Sequence, residues 1–378
     1  MTHDNSLATI LLVSRLSAKG LQPLKPSEFW KLLDLIGPGS DLLLGQQQLK
    51  PESSADNSTA NEEQAHAGKN PGVLLGCDEE QLIGDYNLPG NLAKRITKLI
   101  NRVTALAFEV DQLNQSGIRT LTAFDEDYPQ TWLKRLGTKA PPLIHAAGAI
   151  DLLDTPGLGV VGSRNVSEAG GEVSREIARI AAWRGLPLVS GGARGVDQLA
   201  MDSAFEAGGS VVGILAESLV RKLKHPDIRR AIYDDRVVMC TPYSPKAPFN
   251  VGNAMGRNKL IYAQTELTVV VASDHGSGGT WSGATETLKN GYGHIAVWRG
   301  EGEGPGNEPL QQRGATPVSS PDDIESLLDN TNSPSDVPPT AHASPPQQFD
   351  SPRRDGGSHV IPPTAHASPP QQFDSPRR

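Results

Sequence analysis

The sequence predicts an α/β protein built on a Rossmann-like parallel sheet flanked by helices. Short apolar runs alternate with helix-patterned segments between residues 158 and 298, and this alternation is typical of parallel sheets with right-handed crossovers. Two neighbouring runs end in glycine turns, Gly162-Ser163-Arg164 and Ser190-Gly191-Gly192. Helical spacing dominates before residue 115, and proline-rich sequence follows residue 329. We therefore also expect a small helical N-terminal domain and a disordered Pro-rich C-terminal tail.

The predicted domain boundaries follow these changes of pattern. Residues 1–114 form the helical domain, 115–328 the Rossmann-like domain and 329–378 the tail. Helices are expected over 7–16, 28–36 and 91–113, and the polar segment 46–70 is expected to be a flexible insertion. The last helix carries four cations that form either a nucleic-acid face or, as we expect, a solvated face: Lys94, Arg95, Lys98 and Arg102.

The Rossmann-like domain is expected to hold seven strands and one well-defined helix. Apolar runs predict the strands over 118–121, 158–161, 186–189, 210–215, 237–240, 267–272 and 294–298. The helix covers residues 168–183 and has Ser167 in position to cap its first turn. Strand, glycine turn and helix follow one another here.

Composition excludes several classes of protein. Cys77 and Cys240 are too few and too far apart for a disulfide framework or a cysteine-based zinc site, so no metal is expected. The apolar run 7–13 is too short for a membrane span and lacks the basic flank of a signal peptide, so we expect a cytoplasmic protein. The net charge of the chain is −8, but residues 151–300 hold 16 Lys/Arg and 15 Asp/Glu, so the acidic excess lies in the flanks. A local basic groove is therefore compatible with the acidic average.

The tail contains a duplication. Residues 338–354 and 362–378 are the same 17 residues, and each copy has one large apolar side chain, Phe349 or Phe373. Such a segment cannot build a core. It is either a bivalent docking peptide or a recent duplication without a function.

The two glycine turns predict an anion site. Unpaired amides at a helix N-terminus and the helix dipole both favour a phosphate at such a turn, and Arg164 adds a positive charge. Loops on neighbouring parallel strands face each other at the carboxyl edge of the sheet. Gly157, Gly159 and Gly162 match the dinucleotide fingerprint only literally. In that fingerprint the glycines follow the strand, whereas here Val160 and Val161 lie inside it, and no acidic residue follows about twenty positions later. No NAD or other cofactor is predicted.

Several ordered motifs resemble a known family. They are Tyr128-Pro129, Ala140-Pro141-Pro142, Val161-Gly162-Ser163-Arg164 with Ser167, Ser190 to Asp197 with Ala200, and Gly256-Arg257-Asn258-Lys259-Leu260-Ile261. Together they are similar to the DprA/Smf DNA-processing proteins, a branch of the SLOG group of Rossmann-like folds. The resemblance covers roughly residues 115–300.

The resemblance implies a non-enzymatic protein that binds single-stranded DNA, forms dimers and delivers the strand to a RecA-type recombinase. The residues implied to bind phosphate are Gly162, Ser163, Arg164, Ser167, Ser190, Gly191, Arg194, Gly195, Arg257, Asn258 and Lys259. We expect the side chains of Arg257 and Lys259 to reach the same strand of DNA. Asp197 is expected to be an internal cap or a partner of Arg194 rather than a ligand, and Asn258 is as well suited to bracing a loop.

Departures from the family pattern leave a second function open. Met201 replaces a histidine, the basic segment 217–230 replaces a turn, and the small C-terminal helical domain of many members is not seen. The alternative is an antitoxin or sensor subunit that restrains a phosphoribosyltransferase-like toxin enzyme in anti-phage defence, as a homodimer or hetero-oligomer. The basic segment either extends the DNA groove, contacts an acidic partner protein or is simply solvated.

A third alternative concerns catalysis. Ser277, Gly278, Gly279 and Thr280 resemble the phosphate loop of nucleoside-monophosphate phosphoribohydrolases, and Glu286 follows at a matching distance. A carboxylate there stabilises positive charge at a ribose during hydrolysis. Without catalysis, Glu286 is a helix residue one turn beyond a phosphate loop.

Overall fold

The computed structural model describes residues 2–37 and 69–331, and its centre is one mostly parallel sheet. The strands are β1 (Arg119–Thr122), β2 (Leu143–Gly148), β3 (Gly157–Val161), β4 (Leu188–Ser190), β5 (Val211–Ile214), β6 (Val237–Thr241), β7 (Thr265–Val270), β8 (His294–Trp298) and β9 (Thr316–Val318). Their spatial order is β1-β2-β6-β5-β4-β3-β7-β8-β9. Strands β3 to β9 run parallel, and β1 and β2 add an antiparallel edge.

Helices surround this sheet. Those of the N-terminal part are α1 (Thr2–Val13), α2 (Pro26–Ile36), α3 (Glu79–Gly84), α4 (Gly90–Ile100) and α5 (Val103–Gln115). Those that follow β1 are α6 (Gln130–Leu136), α7 (Glu168–Trp183), α8 (Val196–Glu206), α9 (Leu219–Lys222), α10 (Pro226–Tyr233), α11 (Val251–Ala263), α12 (Gly278–Asn290), α13 (Asn307–Gln312) and α14 (Pro321–Thr331). The predicted α/β class is confirmed.

Both faces of the sheet are buried. On one face α7, α8 and α14 pack against Leu158 and Val160 of β3, and on the other α6, α11 and α12 pack near Val161. This explains why the strands read as continuous apolar runs, since a parallel strand between two helical layers has no solvent face.

The strand order reverses next to β3. From β3 the chain builds β4, β5 and β6 on one side, and it then returns to place β7, β8 and β9 on the other side. The loops that leave β3 and β7 therefore diverge at the carboxyl edge of the sheet. Such a switch point opens the crevice in which doubly wound folds bind ligands.

Two strands were not predicted from the sequence. Strand β2 pairs antiparallel with both β1 and β6, and β9 extends the opposite edge. The sequence of β2, Leu-Ile-His-Ala-Ala-Gly, has one β-branched residue and two alanines, so its strand propensity is weak. Its position follows from tertiary packing, because all but its last residue are buried.

The helix expected over 91–113 is divided in two. Helix α4 ends at Ile100 and α5 begins at Val103. Between them Arg102 turns inward and is 7% exposed. Its Nη2 donates to the carbonyl oxygens of Leu11 (2.6 Å) and Ser14 (2.7 Å), and its Nη1 donates to that of Leu16. The side chain thus satisfies carbonyls at and beyond the C-terminus of α1, which a helix end leaves without partners.

The four cations of this region therefore do not form a single face. Arg95 donates to the carbonyl oxygen of Gln22 (2.7 Å) and to Glu28 Oε2 (3.1 Å), and Arg102 is buried. Lys94 and Lys98 are exposed. The hypothesis of a common nucleic-acid face, like that of a common solvated face, is wrong for the two arginines.

The described residues bear on the remaining predictions only in part. Most of the insertion 46–70 and most of the tail lie outside them, so the proposed domain boundaries stay predictions. No described helix is long and apolar enough to cross a membrane. Cys77 and Cys240 are both free thiols.

The role of Arg102 can be tested by its replacement. Arg102→Met keeps most of the apolar stem but removes the donors to four carbonyl oxygens, those of Leu11, Ser14, Leu16 and Leu99. We expect the free energy of unfolding to fall by about 3 kcal/mol in urea denaturation. Lys98→Met, which removes an exposed cation from α4, is the matched control and should change stability little. Equal stability of the two variants would contradict the structural role.

A candidate phosphate-binding site

The loop after β3 is fixed by the two loops that lie beside it. The Gly162 carbonyl accepts a hydrogen bond from Thr280 Oγ1 at 3.0 Å, and the Ser163 carbonyl accepts one from the Val196 amide at 3.2 Å. The Ser163 hydroxyl accepts from the Asn165 amide at 3.1 Å. The loops after β3, β4 and β7 therefore form one hydrogen-bonded unit at the carboxyl edge of the sheet.

The loop after β4 depends on a glycine where it approaches the first loop. Gly195 has a φ of +87°, and a Cβ placed on it would overlap the Ser163 carbonyl oxygen. Only glycine adopts this conformation at such a short approach. Arg194 Nη2 donates to Asn165 Oδ1 at 2.7 Å, so this arginine also joins the two loops. The Ser190 hydroxyl is buried and donates to the Val160 carbonyl at 2.7 Å.

Beneath the second loop lies a buried carboxylate. Asp197 is 6% exposed and accepts a hydrogen bond from the Gly191 amide at 3.2 Å. Burial raises the pKa of the Asp197 carboxyl, and the Arg257 guanidinium opposes this shift. The internal hydrogen bond expected of Asp197 is present, but its charged neighbour is Arg257 and not Arg194.

Arg257 is the buried cation of the site. It projects from α11, is 5% exposed, and its guanidinium lies directly under Gly191, where an added Cβ would overlap Nη1. Burial lowers the pKa of Arg257, although a guanidinium remains charged at neutral pH. Its Nε and Nη1 have no hydrogen-bond partner among the described residues. A buried donor without a partner is costly, and the cost is higher for a charged group.

The guanidinium borders a cavity at the switch point. This loop cavity has a volume of about 390 Å³ and lies between the loops after β3 and β7, with α11 as its floor. Its wall includes predicted residues from three motifs: Gly162, Ser163, Arg164, Arg257, Asn258, Ser277, Gly278, Gly279 and Thr280. A side pocket of about 300 Å³ adjoins it, shares Arg164 and Arg257 with it, and adds Gly191 and Arg194.

The N-terminus of α12 also faces the loop cavity. Its N-cap residue, Ser277, makes no side-chain capping hydrogen bond, so the amides of the first turn keep donors for an anion. Asn258 Nδ2 donates to the Gly279 carbonyl at 2.9 Å. Asn258 therefore braces the third loop while it lines the cavity.

Some residues that were predicted to bind phosphate do not line either pocket. Ser167 accepts from the Gly170 amide at 3.2 Å and caps α7, as expected. Neither Ser167, Ser190 nor Gly195 belongs to the wall of the loop cavity or the side pocket. They shape the loops.

Phe249 was missed by the sequence analysis. Its ring stands at the mouth of both pockets, is 42% exposed, and lies under the Arg164 guanidinium at 4.9 Å from the ring centroid. Val251, 70% exposed, lies beside it at the start of α11. The available signal was an aromatic residue just before the Arg257 motif, at the end of a proline-rich connection. Asp274 was also missed and adds a carboxylate to the cavity wall.

Lys259 does not share the position of Arg257. The two residues are two apart on α11, which places their side chains about 200° apart around the helix axis. Arg257 borders the loop cavity, whereas Lys259 lines a separate groove beside Lys139. The segment is helical, so the two side chains lie on opposite sides of α11. The expectation that both reach one DNA strand stays a prediction.

Glu286 lies outside the loop cavity. It is on α12, where its Oε1 accepts a hydrogen bond from the Tyr292 hydroxyl at 3.4 Å. It borders a different surface depression with Thr285 and Lys289. A carboxylate that assists hydrolysis must face the ribose beside the phosphate loops, and this one does not.

The basic segment 217–230 forms α9 and α10. Arg221 pairs with Glu217 at 2.9 Å, and Arg229 and Arg230 are exposed. Tyr233, at the end of α10, is 88% exposed. Glu217 also borders the side pocket. The segment thus begins beside the site and continues as an exposed surface.

Comparison with known proteins places the chain in a family. The model of the family described as DNA recombination-mediator protein A matches residues 119–329. Protein Smf of Synechocystis is 26% identical over 195 residues, covering 49% of this chain and 48% of that protein, so the chain spans about half of its length. DNA processing protein DprA of Bacillus subtilis is 23% identical over 261 residues, covering 65% of this chain and 87% of that protein.

A solved structure shows the same fold. DNA processing protein A of Streptococcus pneumoniae superposes with a TM-score of 0.50 at 22% identity, covering 67% of this chain and 94% of that chain.

The glycine at the loop contact provides a test of the site's architecture. Gly195→Ala must place a Cβ against the Ser163 carbonyl, so we expect a loss of about 3 kcal/mol in unfolding free energy. Gly185 also has a positive φ, +67°, but has open space around it. Gly185→Ala should therefore cost only about 1 kcal/mol. Equal losses in denaturant titrations of the two variants would show that the loops do not depend on this contact.

Proposed function

The chain belongs to the DNA recombination-mediator protein A family, and on that basis we propose that it binds single-stranded DNA as a non-enzymatic DNA-processing protein. The observation that carries this proposal is the buried Arg257 guanidinium, with two donor nitrogens unpaired, at the border of a cavity formed by three glycine loops. An anionic oxygen in the cavity would compensate the charge of this guanidinium.

The charges around the cavity favour a phosphodiester over a phosphate monoester. Arg164 and Arg257 supply positive charge, while Asp197 and Asp274 supply negative charge in the same wall. A dianionic monoester would meet strong repulsion from the nearby carboxylates, whereas each phosphodiester carries a single charge. Backbone amides and arginines position such a backbone without reading its sequence.

Phe249 supports the choice of a single strand. Its ring is exposed at the cavity mouth and has a guanidinium on one side. Unpaired bases stack on exposed aromatic rings, and paired bases within a duplex cannot reach them. A nucleotide whose phosphate lies in the loop cavity and whose base stacks on Phe249 would use both features.

The rival functions have less support. The hydrolase reading requires Glu286 in the loop cavity, where it is not found. The antitoxin reading depends on the exposed α9–α10 surface with Arg229, Arg230 and Tyr233, which suits an acidic partner protein and is compatible with DNA binding elsewhere. Delivery of the strand to a RecA-type recombinase and assembly as a homodimer remain part of the proposal through the family resemblance.

The first test changes Gly191 and leaves every cation in place. In Gly191→Ala the new Cβ displaces the Arg257 guanidinium, so we expect affinity for an oligothymidine strand to fall about tenfold, which corresponds to about 1.4 kcal/mol. Gly84→Ala, at a glycine surrounded by open space, is the matched control. Fluorescence anisotropy over a salt series should give a slope near −0.7 per neutralised phosphate. Wild-type affinity in Gly191→Ala would remove Arg257 from the binding site.

The second test separates single strands from duplexes. Phe249→Ala should weaken oligothymidine binding by about 1 to 3 kcal/mol, the usual value of one stacked base, and leave any duplex binding unchanged. Phe108→Ala removes another exposed aromatic, on α5, and serves as the control. An equal loss for duplex and single strand would contradict base stacking at Phe249.

A further inference from the structure

A second groove lies at the same edge of the sheet. It has a volume of about 320 Å³ and is lined by the end of α1, the start of α2, the start of β2, the residues after β6 and one side of α11. Because β2 is antiparallel to β6, with His145 opposite Thr241, its first residues lie at the carboxyl end of β6. The groove and the loop cavity therefore open at one edge, with α11 contributing to both walls.

The groove is lined by cations from four separate parts of the chain. They are Arg15, Lys25, Lys139 and Lys259, and none of its described lining residues is acidic. We name it the lysine groove. Arg15 and Lys25 are exposed. Glu28, three residues after Lys25, forms an ion pair with Arg95 at 3.1 Å. Four cations without a carboxylate in one concavity attract a polyanion.

The two remaining lysines differ in their surroundings: Lys139 is exposed and hydrogen-bonded, and Lys259 is half-buried. Lys139 Nζ donates to Asn290 Oδ1 at 2.9 Å and to the Tyr292 hydroxyl at 2.6 Å, which are both uncharged. Lys259 is half-buried, and no hydrogen bond or ion pair of its amine occurs within the part of the chain that the structure describes. Burial lowers the pKa of Lys259, while Glu286 opposes that shift. An anion in the groove would compensate a charge that the protein leaves exposed to the cavity.

The floor of the groove is neutral and partly apolar. His145 is buried, and burial lowers its pKa to about 3, so it is uncharged at neutral pH. Tyr243 donates its hydroxyl to the Asn253 carbonyl at 2.8 Å. Pro23, Pro142 and Pro242 supply rigid apolar surface beside it. Cations around an apolar floor suit a chain whose phosphates alternate with sugars and bases.

We propose that the lysine groove binds a second stretch of the same DNA strand whose first stretch occupies the loop cavity, an inference that rests on the function proposed above. Helix α11 separates the two stretches, with Arg257 on one side and Lys259 on the other. A helix with its side chains is about 10 Å wide, which a strand crosses within a few nucleotides. The N-terminal helices thereby become part of the DNA site.

The experiment compares strands of two lengths. An oligothymidine of about 6 nucleotides fills one site, and one of about 25 nucleotides spans both. The test variant is the double substitution Arg15→Glu/Lys25→Glu. Both side chains are exposed, so the fold should be retained, and the melting temperature checks this. We expect affinity for the long strand to fall tenfold or more and the salt slope to shrink by about 0.7 per lost phosphate. The loop cavity still binds the short strand in this variant, so the affinity for that strand should change little.

The control reverses two cations that do not line the groove, Lys31→Glu/Lys98→Glu, both exposed on α2 and α4. It should bind both strands like the wild type, and an equal loss in the control would overturn the inference in favour of a general charge effect. An unchanged long-strand affinity in the Arg15/Lys25 variant would also overturn it, while the loop cavity would remain the DNA site. A wild-type protein that binds neither strand would instead reject the proposed function itself.

Discussion

The buried guanidinium of Arg257 is the constraint on which the site depends. Arg257 is only 5% exposed. A charge that is buried to this extent is tolerated only where neighbouring groups compensate for the lost hydration. Asp197 supplies part of that compensation through space, and the rest of the donor capacity stays unused. Gly191 has to be a glycine because the guanidinium occupies the space that a side chain would need. The chain thus keeps a costly unsatisfied cation at the border of the loop cavity, which is typical of binding sites rather than of cores.

The topology determines where this cation is placed. Strands β3 and β7 are neighbours in the sheet but far apart in the sequence, so their loops diverge and leave room between them. The hydrogen bonds from Thr280 to Gly162 and from Val196 to Ser163 hold the loops at a fixed separation. A preorganised concavity of this kind loses little conformational entropy when a ligand binds.

Much of this arrangement could be predicted from the sequence, because short-range patterns determine it. Apolar periodicity and glycine positions predicted the β3 strand, the α7 helix with its Ser167 cap and the glycine loops at the edge of the sheet. The direction of side chains was harder to predict. The sequence did not show that Arg257 and Lys259 lie on opposite sides of a helix. It also did not show that Arg102 is buried and donates hydrogen bonds to the end of α1. Those partners are more than eighty residues away, and a local pattern holds no information about them.

Because α11 is a single continuous helix of 13 residues, the two compartments that it separates are mechanically linked. A shift of the helix that draws Arg257 toward a phosphate in the loop cavity moves Lys259 by nearly the same displacement in the lysine groove, since a hydrogen-bonded helix behaves as a stiff rod on this length scale. A ligand that shifted α11 in one compartment would therefore also change the shape of the other.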